Sequence, residues 1–169
     1  MSMDPLFAQL LSNDDAQVLA AIEKVDQRGD AMAIIPLLHA LVNAKEVATQ
    51  QRITTLLFAV KAKGAKEQLL EALDIPELLS VRQTALSCFW NAGIDMRDHL
   101  DVIIGLAISG SVAESFECFT ILQEQSVWPD KAARTSIVRL RNAMTNQGDT
   151  LKASMLGDLV TELERRLGK

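Results

Sequence analysis

The sequence predicts an all-α fold in which antiparallel helix pairs, about five of them, stack into a right-handed solenoid. Three observations carry that expectation. Apolar residues recur at intervals of three and four along most of the chain. The breaks between these runs are short and rich in glycine, proline and asparagine. Segments about 30 residues apart also match one another in register. Composition agrees, since tyrosine is absent and only 2 tryptophans and 5 phenylalanines occur in 169 residues, whereas sheets select β-branched and aromatic side chains.

Pro5 to Leu11 and Asp14 to Arg28 read as an opening pair, the second helix turning Val18, Ala21, Ile22 and Val25 inward. Asp30 suits the cap of a helix reaching Ala44, with Ile34, Ile35, Leu38, Leu41 and Val42 as its apolar stripe. Its partner, Val47 to Ala62, repeats the period through Ile53, Leu56, Leu57 and Val60. Only Asn43 to Glu46 separates the two, so the chain must double back. A further pair runs from Lys66 to Leu73 and from Pro76 to Ala92. Pro76 fits a first helical turn, where its missing N–H is no loss, and Gly93 fits the stop. Arg97 to Ile108 and Val112 to Gln125 flank the Ser109-Gly110-Ser111 break. The last pair, Asp130 to Met144 and Thr150 to Leu167, is entered at Trp128-Pro129 and turns at Asn146, Gln147 and Gly148.

Laying three of the second helices side by side puts Leu56, Cys88 and Cys118 in one register. Leu57, Phe89 and Phe119 follow, and then Val60, Ala92 and Leu122. A helix pair leaves one side uncovered, and in a repeat architecture the next pair buries it. The runs Ile34-Ile35-Pro36-Leu37-Leu38-His39-Ala40-Leu41 before Glu46-Val47, and Gln68-Leu69-Leu70-Glu71-Ala72-Leu73 before Ser80-Val81-Arg82-Gln83-Thr84-Ala85-Leu86, resemble the HEAT/armadillo-like repeat proteins. Asp101-Val102-Ile103-Ile104-Gly105-Leu106-Ala107 before Val112-Ala113 is a third copy, and Ala48 stands where the family carries arginine. The resemblance covers roughly Asp30 to Gln125. It implies one helical-repeat domain over residues 1–169, with the second helix of each pair lining a concave face.

On that face Phe58 lies off the buried stripe of its helix, Trp90 holds the same register one repeat later, and Thr120 follows. Thr55, Ser87 and Glu117 form the neighbouring row, with Gln51 and Gln83 one turn earlier. Together these eight residues describe a mostly uncharged band with two large aromatics. Aromatics supply contact area at low entropic cost, which suits a binding groove. The same two side chains also suit packing between repeats.

The formal charge is −5, from 17 basic and 22 acidic side chains. That balance argues against nucleic acid as a partner, because phosphate-backbone binding needs a basic footprint. Lys131, Arg134, Arg139 and Arg141 are the densest basic cluster, and on a helix they point in several directions. No run reaches the roughly 18 apolar residues of a membrane span, and no charged-then-apolar leader opens the chain, so a cytoplasmic protein without membrane attachment is expected.

Reactive chemistry is sparse. His39 sits on an apolar helix face, and His99 lies beside Arg97, Asp98 and Asp101, where an ion network is the simpler expectation than a metal site. Cys88 and Cys118 hold equivalent repeat positions as small hydrophobes. Asp14-Asp15, Glu114 with Glu117, and Glu162 with Glu164 read as solvated faces. Scattered glycines form no phosphate loop. No catalytic residue, cofactor or metal is therefore assigned.

The expected function is a non-catalytic protein-interaction module, a small adaptor or scaffold holding a peptide or helix on the concave face. The alternative is a helical-repeat enzyme acting on modified nucleic acid, since the architecture resembles DNA glycosylases that surround a lesion with aromatics. Bilin lyases share the architecture too, without any residue here that singles them out. A third reading is a structural subunit that self-associates along Leu159, Leu163 and Leu167, although the same stripe also suits capping the solenoid.

Overall fold

A computed structural model describes residues 3–168, so Met1, Ser2 and Lys169 of the expected domain lie outside the described residues. The described chain is all-helical, with ten α-helices and no strand. The helices are α1 (Pro5–Leu10), α2 (Asp15–Arg28), α3 (Ile34–Asn43), α4 (Val47–Phe58), α5 (Ala65–Ala72), α6 (Arg82–Asn91), α7 (Leu100–Ser109), α8 (Val112–Glu124), α9 (Asp130–Thr145) and α10 (Thr150–Leu167). Short 3₁₀ turns, Ala31–Ala33, Pro76–Val81 and Arg97–His99, lead into α3, α6 and α7. Three segments expected as single helices are thus each a tight turn followed by an α-helix. A 3₁₀ turn advances the chain by 3.0 residues per turn against 3.6, so it shifts the phase of every later side chain.

Caps explain the boundaries. Asp14, Asp30 and Asp149 each accept a backbone N–H of the helical turn that follows, at 2.9 to 3.1 Å. Ser111 and Glu114 form a reciprocal capping box at the start of α8. Helix α6 closes with the N–H of Gly93 on the Trp90 carbonyl and that of Ile94 on the Phe89 carbonyl. This double closure needs the left-handed φ of +66° that Gly93 adopts. Helix α4 stops four residues before the expected Ala62. Ala59 and Val60 turn their N–H groups to carbonyls three residues back, and Gly64 at φ +90° redirects the chain into α5.

The contacts divide the chain into two compact units, one running to Ile94 and the other starting at Asp95. In the first unit α1 packs on α2, α3 on α4 and α5 on α6. The first members of the pairs also touch in order, α1 on α3 and α3 on α5, and so do the second members, α2 on α4 and α4 on α6. The second unit repeats the scheme, with α7 on α8, α9 on α10, α7 on α9 and α8 on α10. Each unit is therefore two layers of helices with its apolar stripes between them.

The core of the first unit includes Val18, Ala21, Ile22 and Val25 of α2, all buried as their spacing predicts, with Ile53, Leu57 and Phe89. On α3 the stripe is rotated from its expected place. Ile34, Leu37, Leu38 and Ala40 are buried, Ile35 and Leu41 are half-buried, and Val42 is exposed. The neighbours of α3, namely α1, α4, α5 and the Pro76–Val81 turn, decide which of its sides is covered. In the second unit Ile103, Ile104, Cys118, Ile121, Leu140 and Leu156 are enclosed. Leu159 and Leu163 are wholly buried there and only Leu167 is half-exposed, so this stripe closes the unit and offers no outer seam for self-association.

Candidate functional site

A groove of about 740 Å³ lies along α4 in the first unit. Five residues of that helix, Gln50, Gln51, Thr54, Thr55 and Phe58, form one wall, joined by Leu41 of α3, Val81 and Thr84. Spacings of three, four and seven place these α4 residues on one face, opposite the buried Thr49, Ile53 and Leu57. No ionisable side chain lines the groove.

Its polar groups fall into two sets. Gln50 donates its amide to the Ala44 carbonyl at 2.9 Å, and Thr54 donates its hydroxyl to the Gln50 carbonyl at 2.9 Å, so both are fixed by the helix itself. Gln51 and Thr55 are exposed, and their side chains make no hydrogen bond among the described residues. An amide and a hydroxyl one turn apart, beside the half-buried Phe58 ring, provide donors, acceptors and an apolar contact in one line.

Three of the eight residues that sequence singled out, Gln51, Thr55 and Phe58, thus share this groove. Gln83 is exposed on α6 beside the groove residue Thr84, and Trp90 is half-buried at the far end of α6. Ser87 is not an outward residue: it is 7% exposed and its hydroxyl donates to the Gln83 carbonyl at 3.0 Å. Five consecutive residues of α6, Ala85 to Phe89, are buried, so this helix is covered nearly all round and has no free stripe at that level. Glu117 is likewise 7% exposed on α8, and Thr120 is half-buried there, donating its hydroxyl to the Phe116 carbonyl. Sequence reasoning placed Leu41 in the core stripe of α3 and missed Gln50, Thr54, Val81 and Thr84. The first two repeat the i, i+4 spacing of Gln51 and Thr55, a legible signal. The last two straddle the junction of the 3₁₀ turn with α6, where periodicity misleads.

Elsewhere several reactive side chains are buried or paired. Cys88 and Cys118 are buried free thiols, and Cys88 points its Sγ at the Thr84 carbonyl at 3.2 Å. Arg97 pairs with Asp95 in a two-pronged contact, in place of the expected network around His99. Glu114 is committed to its capping box. Glu162 is buried and accepts from Arg165 and Arg166, which hold its carboxyl below the usual range, so the Glu162–Glu164 pair is not one solvated face. Among the described residues no three or more His, Cys, Asp and Glu side chains are placed to hold a metal ion. No helix there is long and apolar enough to cross a membrane.

No family model, curated protein or solved structure matches the chain.

Proposed function

We propose that the chain is a non-catalytic protein-interaction module, a small adaptor or scaffold that takes a peptide or helix in the groove beside Phe58. The single observation that carries this reading is the line of free hydrogen-bonding groups, Gln51 and Thr55, next to a partly open aromatic ring in an uncharged groove. Buried aromatic contacts at the centre of an interface carry much of its energy, and uncharged polar groups fix register at a small desolvation cost.

A HEAT-like solenoid is the architecture that goes with this reading. It draws support from the layer order within each unit, first helix on first helix and second on second, as expected for stacked repeats. A cytoplasmic setting goes with it as well, because both cysteines are free thiols.

The test is capture of stoichiometric partners from the native cell by the full chain, repeated with Phe58→Ala and with the double substitution Gln51→Ala, Thr55→Ala. The reading expects a partner retained by the parent chain and lost from both variants while their helical circular dichroism is kept. A partner retained equally by all three chains, or reproducible failure to retain any protein, overturns it.

A further inference from the structure

A second cavity, of about 420 Å³, lies in the second unit between α7 and α9. Asp101 contributes from α7, and Pro129, Lys131, Ala132, Thr135, Ser136 and Arg139 from α9 and its entrance. From this arrangement we infer that the cavity binds the carboxylate of a small, partly apolar organic acid, gripped by Arg139, Lys131 and Ser136. The site is separate from the groove on α4 and does not depend on it.

Ser136 is the first part of the case. Four hydroxyl residues are buried among the described residues, Thr49, Ser87, Ser115 and Ser136. Ser87 and Ser115 each donate to a carbonyl four residues back, the usual way a helix satisfies such a group. Thr49 Oγ1 is the one enclosed side-chain oxygen or nitrogen without a partner among the described residues. Ser136 is 3% exposed, lines the cavity, and makes no side-chain hydrogen bond among the described residues. Its Oγ is not enclosed as Thr49 Oγ1 is, so it reaches the open volume of the cavity, where it can donate to a ligand oxygen.

The cations are the second part. Arg139 makes one long bond, Nη1 to the Asp101 carbonyl at 3.3 Å, so most of its guanidinium donors remain available. Lys131 is exposed and unpaired among the described residues. Arg134 and Arg141 of the same helix take no part: Arg134 lies off the cavity and Arg141 pairs with Glu164. Two cations and the single carboxylate of Asp101 line the cavity, a net single positive charge that matches a monoanion better than a doubly charged phosphate. Pro129, Ala132 and the alkyl stems of Lys131 and Arg139 supply apolar wall, and the volume falls within the range of small-ligand sites.

Isothermal titration of the full chain with hexanoate tests this, with hexanol and inorganic phosphate as comparison probes. Saturable binding of one hexanoate per chain is expected, with hexanol and phosphate each about tenfold weaker or worse. Arg139→Gln should weaken hexanoate about tenfold, and Lys131→Gln and Ser136→Ala about threefold each. Lys131 has no structural partner, so Lys131→Gln remains a fair test if Arg139→Gln disturbs the fold. Absence of saturation at millimolar hexanoate, equal affinity for hexanol, tighter binding of phosphate, or unchanged affinity in Lys131→Gln and Ser136→Ala would each overturn the proposal.

Discussion

Lys152 and Arg166, on the same side of α10 and about 21 Å apart along it, hold the ends of two different helices. Lys152 donates its ammonium to the Gly110 carbonyl at 2.6 Å and to the Ser115 hydroxyl, where α7 ends and α8 begins. Arg166 donates to the carbonyls of Gln123, at 2.7 Å, and of Gln125 and Ser126, where α8 ends. Helix α10, of 18 residues, therefore runs parallel to α8 and spans its 13 residues from end to end. Both cations sit on the negative end of a helix, where the backbone dipole and the orphan carbonyls favour them. Burial nevertheless pushes the Lys152 ammonium below the ordinary lysine value, against the pull of Cys118, Glu114 and Asp149.

Lys152→Met keeps the stem and removes the ammonium, leaving the Gly110 carbonyl without its donor. Urea unfolding at pH 7 is expected to show a loss of about 2–3 kcal/mol. An unchanged midpoint would mean that the carbonyls find water and that Lys152 is no clamp.

Glu162 answers to acid. The Arg165 hydrogen bond, then that of Arg166, holds its carboxyl below the glutamate value of 4.5, and burial opposes them in part. A folded-state pKa below the unfolded one gives stability that is fully present above pH 4.5 and lost as pH falls through the folded value. Glu162→Gln should therefore lose about 1 kcal/mol at pH 7, discounted because Arg165 is half-exposed. Below pH 4.5 its urea midpoint should fall less steeply than that of the parent chain, and parallel curves would contradict this.

Gly93 and Gly148 both have open space where a Cβ would stand, but only Gly93 has positive φ. Gly93→Ala is expected to cost about 1 kcal/mol through backbone strain alone. Gly148→Ala is expected to be neutral or to stabilise by about 0.5 kcal/mol through the unfolded chain. Melting temperatures of the two variants shifting in the same direction would refute the contrast.

Trp128, expected at a turn entrance, is 4% exposed and donates its indole N–H to the Leu122 carbonyl at 3.2 Å. Trp128→Phe should cost about 1 kcal/mol for the bond, and Trp128→Ala about 3–5 kcal/mol with the cavity added. Denaturant unfolding followed by circular dichroism measures both.

Phe58 should matter more to a captured partner than to the fold, since the ring is half-buried at the groove. Phe58→Ala is expected to weaken binding about tenfold while costing about 1 kcal/mol of stability. Trp90→Ala separates the two meanings of that aromatic: a loss of stability equal to the loss of binding assigns it to packing.

The sequence by itself determined the ten helices, the Asp30 cap, the Gly93 stop and the inward face of α2. These follow from apolar period, capping side chains and glycine stops, all set by neighbours within a few residues. The buried state of Ser87 and Glu117, the rotated stripe of α3, and the meeting of Val81 and Thr84 with Gln51 and Thr55 across a groove were decided only in the tertiary structure. The reason is phase and surroundings. A 3₁₀ turn rotates every side chain after it without a clear mark in the residue pattern, and a helix covered on several sides buries positions that its own periodicity assigns to solvent. The unpartnered hydroxyl of Ser136 belongs to the same class, because whether a serine bonds its own helix or faces a cavity depends on what packs beside it.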